Sequence, residues 1–173
     1  MLSAIIVSTL VATGTAPQAD ISQDWKVHGI EKGKPVQSLK TDVIMASVRS
    51  FEGPALVFLC SDKAGLQTIY VYEPEESLEK QVFKTQSFLR KKDGSVGIED
   101  QTHDDAWLWK RRHGTLQAKT RSTGIKIINA AFAKQNITFK FTDMEPVTLK
   151  LPEPGQNMME FVANCSTTQV SDD

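Results

Sequence analysis

Two tryptophans and a run of basic residues stand together in the second half of the chain. The stretch from Trp107 to His113 reads Trp-Leu-Trp-Lys-Arg-Arg-His. In a β-strand, side chains two positions apart point to the same side, so Trp107 and Trp109 are expected to share one face. A cluster of basic side chains follows at the end of that face: Lys110, Arg111, Arg112 and His113.

Two interpretations of this segment remain open. In the first, both indoles lie in the hydrophobic core and the basic residues form a solvated turn. In the second, the segment binds a glycan, an anionic polymer of the cell envelope or a protein partner, because indoles stack on ligands and Arg or Lys recognises anions. The burial of the two indoles distinguishes these interpretations.

The charges are unevenly distributed along the chain. The net charge is −1, but residues 80–126 hold 11 basic and 5 acidic side chains, whereas the flanking regions are acidic. A net charge near zero argues against general binding to nucleic acid or to membrane surfaces, so we expect no nucleic-acid partner. Either acidic neighbours in the fold neutralise the basic block, or it forms a face for an anionic partner.

No other group of residues forms a catalytic or metal-binding motif, and we expect neither enzymatic activity nor a cofactor or metal. The three histidines, His28, His103 and His113, lie in or beside polar segments where solvated imidazoles are usual. The run His103-Asp104-Asp105 lacks the separated ligands typical of zinc sites, and the acidic segment from Glu73 to Glu79 lacks the layout of a calcium loop. A serine hydrolase site assembled from scattered residues stays open as an alternative, as does an inhibitor or immunity-type protein.

The N-terminus is typical of an export signal. Residues 1–12 are apolar and uncharged, and the small residues Thr13 to Ala16 follow. This run is too short to span a bilayer, and no later segment is apolar enough to do so, which predicts no transmembrane helix in the mature chain. We predict a signal peptide over residues 1–19, one globular domain over residues 20–166 and a disordered tail over residues 167–173. The export signal predicts a periplasmic or secreted location.

An exported chain with two cysteines is expected to form one disulfide bond. Cys60 ends the predicted strand Ala55–Leu59, and Cys165 follows the predicted C-terminal helix Met158–Asn164. A bond between them would fasten the last helix to a core strand. Two buried thiols or a redox pair are the alternatives, although the Cys-x-x-Cys spacing of redox sites is absent.

The remaining pattern predicts many short strands and few helices. Further strands are predicted at Trp25–Ile30, Val43–Val48, Leu66–Tyr72, Val82–Leu89, Ala106–Trp109, Thr115–Thr120, Ile137–Phe141 and Val147–Leu151. Asp93-Gly94 predicts a turn, and Ser122 or Thr123 is expected to cap a mid-chain helix that ends near Asn136. The sequence therefore predicts a mainly β (β-rich α+β) fold: an antiparallel β-sandwich or bent sheet with one mid-chain helix and a short C-terminal helix.

The order of these features resembles a known family. The Trp25 strand, the run Asp42–Ser47, the segment Pro54–Cys60, the helix ending near Phe132 and the segment Phe161–Cys165 are similar in spacing to the periplasmic TagO or VasI proteins associated with bacterial type VI secretion. The resemblance spans residues 24–166. It implies a non-enzymatic periplasmic accessory protein that acts through protein or envelope contacts, with no catalytic residues to transfer.

Overall fold

One sheet of eleven strands, with three helices packed on it, makes up the fold. The computed structural model describes residues 18–20, 24–50, 53–84 and 89–167. The strands are β1 (Gln18–Asp20), β2 (Lys26–Glu31), β3 (Lys34–Val36), β4 (Val43–Arg49), β5 (Ala55–Ser61), β6 (Gly65–Val71), β7 (Arg90–Ile98), β8 (Gln101–Lys110), β9 (Thr115–Ala118), β10 (Asn136–Phe141) and β11 (Val147–Lys150). The helices are α1 (Leu78–Val82), α2 (Arg121–Phe132) and α3 (Gln156–Thr167). The predicted mainly β class is confirmed.

The sheet is antiparallel throughout, apart from the parallel pair of β1 and β11. The strand order is β1-β11-β10-β7-β8-β9-β6-β5-β4-β2-β3. Neighbours in sequence form the hairpins β5–β6, β7–β8 and β10–β11. The β10–β11 hairpin follows from its sequence, because its alternating apolar and polar residues place one apolar face on the core. Of the two predicted architectures, the bent sheet is the one observed.

The sheet bends so strongly that distant strands touch. Strands β6 and β10 are four strand positions apart, which is about 19 Å in a flat sheet. The rings of Tyr70 on β6 and Phe139 on β10 are nevertheless stacked, with their centroids 4.6 Å apart. The face that carries these rings is therefore concave, and we call it the inner face.

Helices α2 and α3 fill the concave side and complete the main core. The rings of Phe58 on β5 and Phe161 on α3 lie 6.5 Å apart, and Cys60 is disulfide-bonded to Cys165 beside them. The predicted disulfide and its location between a core strand and the last helix are confirmed. Burial of apolar area and a covalent bond thus act at the same contact between α3 and the sheet.

The opposite, outer face is covered near β4–β6 by the short helix α1. Leu78 and Val82 of α1 pack with a second apolar cluster that includes Met45 and Val57. The outer surface of β5 is therefore buried as fully as the inner one, which explains the uninterrupted apolar run Ala55–Cys60. No described helix is long and apolar enough to cross a membrane.

Two sequence predictions in the middle of the chain are wrong. The predicted strand Val82–Leu89 does not form: Val82 ends α1, and β7 begins only at Arg90; residues 85–88 lie outside the described part. The predicted turn at Asp93-Gly94 lies inside β7. Gly94 occurs there because a Cβ atom would collide with the ring of Phe141 on the paired strand β10.

The cap of α2 also differs from the prediction. Thr120 is the N-cap but its own side chain makes no capping bond, and the Asp105 carboxylate of β8 binds this end of the helix instead. Its Oδ2 accepts from the Thr120 backbone N–H at 3.3 Å, the Thr120 hydroxyl at 2.7 Å and the Thr123 hydroxyl at 2.6 Å. A carboxylate suits this position because helix N-termini expose unpaired N–H groups and carry partial positive charge.

The chain termini lie mostly outside the described residues. Of the predicted signal peptide 1–19, residues 1–17 are not described, whereas Gln18–Asp20 pair with β11. Of the predicted tail, Thr167 ends α3 and residues 168–173 are not described. The described strand β1 therefore includes residues 18 and 19 of the predicted leader, and α3 includes residue 167 of the predicted tail.

Candidate functional site

The two tryptophans of β8 share the inner face, as predicted, but their surroundings differ. Trp107 is 0% exposed and packs edge-on against Phe141, with ring centroids 5.1 Å apart. It is a core residue that presents no surface to a ligand, so Trp107 is removed from the predicted binding segment. Its neighbour two positions on, Trp109, is only half-buried, because it lies near the end of the strand.

The indole of Trp109 is held in place by hydrogen bonds. Its Nε1–H donates to the hydroxyl of Tyr72 at 2.9 Å, and that hydroxyl is 3.4 Å from the backbone carbonyl oxygen of Arg111, which can accept from it. Tyr72 directly follows β6, and its backbone N–H donates to the carbonyl of Gly114. These bonds join the ends of β6, β8 and β9 around one partly exposed ring.

Two cations lie over this ring. The Nζ atom of Lys92 is 4.5 Å from the Trp109 ring centroid, and the guanidinium carbon of Arg111 is 5.8 Å from it. Lys92 reaches the ring from β7, where the neighbouring inner-face residue Arg90 is paired with Trp109. The indole face attracts cations through its quadrupole, which favours the position of both side chains over the ring.

We call Arg90, Lys92, Trp109, Arg111 and Arg112 the basic patch. Among the described residues, none of its four cations lies within 4.0 Å of an acidic side chain. No direct ion pair within the described residues therefore neutralises these four cations. Unpaired cations around an aromatic ring can hold phosphate, sulfate or carboxylate groups.

Lys110 and His113 belong to the predicted segment but not to the patch. Lys110 alternates with Trp109 along β8 and points to the outer face, where burial lowers its pKa below that of an ordinary lysine. His113 ends the 3₁₀ turn Arg111–His113, and its backbone carbonyl accepts a hydrogen bond of 2.6 Å from the Gln81 amide.

Gln81 is a structural residue of the site that the sequence did not reveal. Its side chain is 1% exposed. The amide group donates to the carbonyls of Glu73 and His113 and accepts from the Glu75 backbone N–H at 2.9 Å. Gln81 therefore fastens the turn that carries Arg111 and Arg112 to α1. A single glutamine in a polar stretch gives no local signal of this role.

The two histidines outside the basic segment make contacts with charged side chains. The Nε2 atom of His28 lies 3.2 Å from Glu79, and the Nδ1 atom of His103 lies 3.0 Å from the Nζ atom of Lys126. In the described part of the chain, neither imidazole is hydrogen-bonded to a serine. Nor do three His, Cys, Asp or Glu side chains come together there in a group that could hold a metal ion.

Comparison with protein-family models, with curated proteins and with solved structures found no match for this chain.

Proposed function

We propose that this protein is a non-enzymatic binding protein that acts outside the cytosol and holds an anionic partner at its basic patch. The observation that carries the proposal is the position of Lys92 and Arg111 over Trp109, with no acidic counterion within ion-pair distance among the described residues. Like charges held together raise the local positive potential, and an anionic ligand relieves their repulsion.

The composition of the patch favours recognition of anions over stacking of sugar rings. Both cations lie within 5.8 Å of the Trp109 ring centroid, so they compete with a sugar for the ring face. The guanidinium groups of Arg90, Arg111 and Arg112 offer paired donors that match carboxylate and phosphate oxygens. The partner is therefore a chain of anionic groups, either an envelope polymer or an acidic segment of a protein.

Two observations support action outside the cytosol. The buried bond between Cys60 and Cys165 is compatible with an oxidising compartment, because the cytosol keeps most thiols reduced. The apolar segment of residues 1–12 is typical of export signals. The resemblance to periplasmic proteins of type VI secretion supports, as a narrower proposal, an accessory role in that machinery.

Binding of defined polyanions tests the patch directly. The purified chain is titrated with fluorescent polyphosphate and with polyglutamate at low and high salt. We expect binding to both probes that weakens as salt rises, and that falls by more than about tenfold in the double variant Lys92→Glu/Arg111→Glu.

A matched variant distinguishes the effect of losing the patch cations from the effect of changing the net charge. Lys40 and Lys63 are exposed and lie at the other end of β4–β6, so Lys40→Glu/Lys63→Glu makes the same change in charge elsewhere. We expect this control to lose less than about threefold. Equal losses in the two double variants, or equal affinity of wild type and Lys92→Glu/Arg111→Glu, would refute the patch as a binding site.

The class of partner and the pathway need cellular readouts. Wild type and Lys92→Glu/Arg111→Glu are compared for retention on native envelope fractions with and without protease treatment. Retention that survives protease identifies a polymer, and retention that is lost identifies a protein. For the accessory role, deletion of the gene should reduce killing of neighbouring cells that depends on type VI secretion, and wild type but not the double variant should restore it.

A further inference from the structure

A cleft lies on the outer face, away from the basic patch. It has a volume of about 260 Å³ and is formed by β2, β4 and the segment that leads into α1. Arg49 holds this segment across the strands, since its guanidinium donates to the carbonyls of Glu75 at 3.0 Å and Pro74 at 3.3 Å. The cleft is therefore part of the packed structure and has room for about eight waters or a small ligand.

The side chain of Ser47 presents an accessible hydroxyl to this cleft. Ser47 is 4% exposed and lines the cleft from β4, directly opposite Lys26 of β2. Its hydroxyl makes no hydrogen bond to any residue in the described ranges and stays in contact with the space of the cleft. A hydroxyl can both donate and accept a hydrogen bond, so this group is suited to a polar ligand.

Charges of both signs surround the cleft without neutralising one another. Lys26 and Arg49 supply positive charge, and Asp24, Glu76 and Glu79 supply negative charge. Among the described residues, Lys26, Asp24 and Glu76 form no ion pair, although they line the same cleft. Glu79 is fixed by the Ser77 hydroxyl at 3.0 Å and lies 3.2 Å from His28. The apolar side chain of Leu78 supplies the remaining wall.

We propose that this cleft binds a small α-amino acid with an apolar side chain. Its carboxylate would lie toward Lys26 and Arg49, its ammonium group toward Asp24 and Glu76, and Ser47 would complete the hydrogen bonds. A zwitterion fits because it carries charges of both signs, and the lining of the cleft supplies the opposite charge for each. The proposal is independent of the basic patch, since the two sites lie on opposite faces of the sheet.

Calorimetric titration of the full chain with alanine tests this proposal. Alanine amide and N-acetylalanine each lack one of the two charges and serve as matched probes. We expect saturable binding of alanine in the millimolar range or tighter, and binding weaker by about tenfold or more for each blocked analogue. Equal binding of either analogue overturns the zwitterion site, and so does the absence of saturable alanine binding.

Two variants test whether alanine binds in this cleft. Ser47→Ala should weaken alanine binding by about tenfold, whereas Ser95→Ala, at a half-buried serine of β7, should leave it unchanged. Glu76→Gln removes one charge at an exposed position and keeps the proposal testable if Ser47→Ala does not fold, as judged by thermal unfolding. Unchanged affinity in both Ser47→Ala and Glu76→Gln would refute the assignment of the cleft.

Discussion

The indole Nε1–H of Trp25 donates a 3.0 Å hydrogen bond to the backbone carbonyl of Pro152. Trp25 precedes β2 and Pro152 follows β11, and these two strands are eight positions apart in the sheet. The bond therefore spans the open side of the bent sheet. It closes the concave face over α3, which packs against β2 and β4.

Trp25→Phe is expected to loosen this closure. The substitution keeps an aromatic ring beside Phe58 but removes the donor to Pro152, leaving a half-buried carbonyl unpaired. We expect the free energy of unfolding to fall by about 1–2 kcal/mol in urea titration. Phe132→Leu, at an exposed position of α2, should change it by less than about 0.5 kcal/mol. Equal stability of Trp25→Phe and wild type would show that the bond contributes nothing.

Asp105→Ala is expected to weaken the start of α2. The carboxylate is the shared acceptor for Thr120 and Thr123 and also accepts from the Ala106 backbone N–H, so its loss removes four hydrogen bonds. We expect a loss of about 1–3 kcal/mol in the free energy of unfolding. The neighbouring Asp104 is exposed and points to the other face, so Asp104→Ala is the control and should be nearly neutral. Similar losses in the two variants would contradict the capping role.

Gly124→Ala is expected to push α2 away from the sheet. A Cβ atom at Gly124 would lie 2.3 Å from the Thr68 hydroxyl of β6, which is too close for any real contact. The resulting displacement should cost about 1–3 kcal/mol in thermal or urea unfolding. At Gly97 of β7, a Cβ atom would meet its neighbours at an ordinary 3.6 Å. Gly97→Ala should therefore be neutral or slightly stabilising, and a larger loss there than at Gly124 would refute the packing argument.

Stability at high pH should depend on Tyr70. Burial raises the pKa of this phenol far above its ordinary value, so the folded state favours the protonated form. Its contribution is complete below the unfolded pKa of about 10 and declines as the pH rises beyond it, by up to about 1.4 kcal/mol per pH unit. Urea titrations between pH 8 and 11 on wild type and Tyr70→Phe measure this. The decline should be shallower in Tyr70→Phe, and parallel curves would contradict the prediction.

Reduction of the disulfide is expected to destabilise the fold more than any of these substitutions. The bond between Cys60 and Cys165 closes a loop with a sequence separation of 105 residues. In the chain-entropy treatment, such a loop corresponds to about 4–5 kcal/mol, and measured values are often lower. We expect the free energy of unfolding to fall by about 2–5 kcal/mol with reductant. The variant Cys60→Ala/Cys165→Ala should show the same loss and no response to reductant, which separates the bond from other effects of the reagent.

Local patterns predicted strands well where apolar residues either alternate with polar ones or follow one another without interruption. The alternation in Ile137–Phe141 and Val147–Leu151 identified a hairpin, and the apolar run before Cys60 identified a buried strand. Strand β7 and the first half of β8, on either side of the Glu99 turn, were missed, because polar side chains alternate weakly there and Gly94 resembles a turn residue. Gly94 occurs in β7 because of Phe141, 47 positions away in the sequence, which no local pattern reveals.

The candidate site was predicted only in part, because some of its contacts are also made by residues that are distant in the sequence. The alternation of side chains along a β-strand predicted that Trp107 and Trp109 share one face. Only the strand order decides that β10 residues cover Trp107 and leave Trp109 uncovered. Lys92 reaches Trp109 through the register of β7 and β8, which was unknown because β7 was not recognised. Contacts made through register, bending and long-range capping require the folded chain.

The location of Cys165 in the last helix sets an order of events during biosynthesis. Strands β6 to β11 and helices α1 and α2 all lie between the two cysteines along the chain. While the polypeptide emerges from its N-terminus, Cys60 has no native partner until α3 has followed. Throughout that interval the Cys60 thiol can pair only with a wrong partner. The native disulfide can therefore form only after every strand of the sheet and the first two helices have been synthesised.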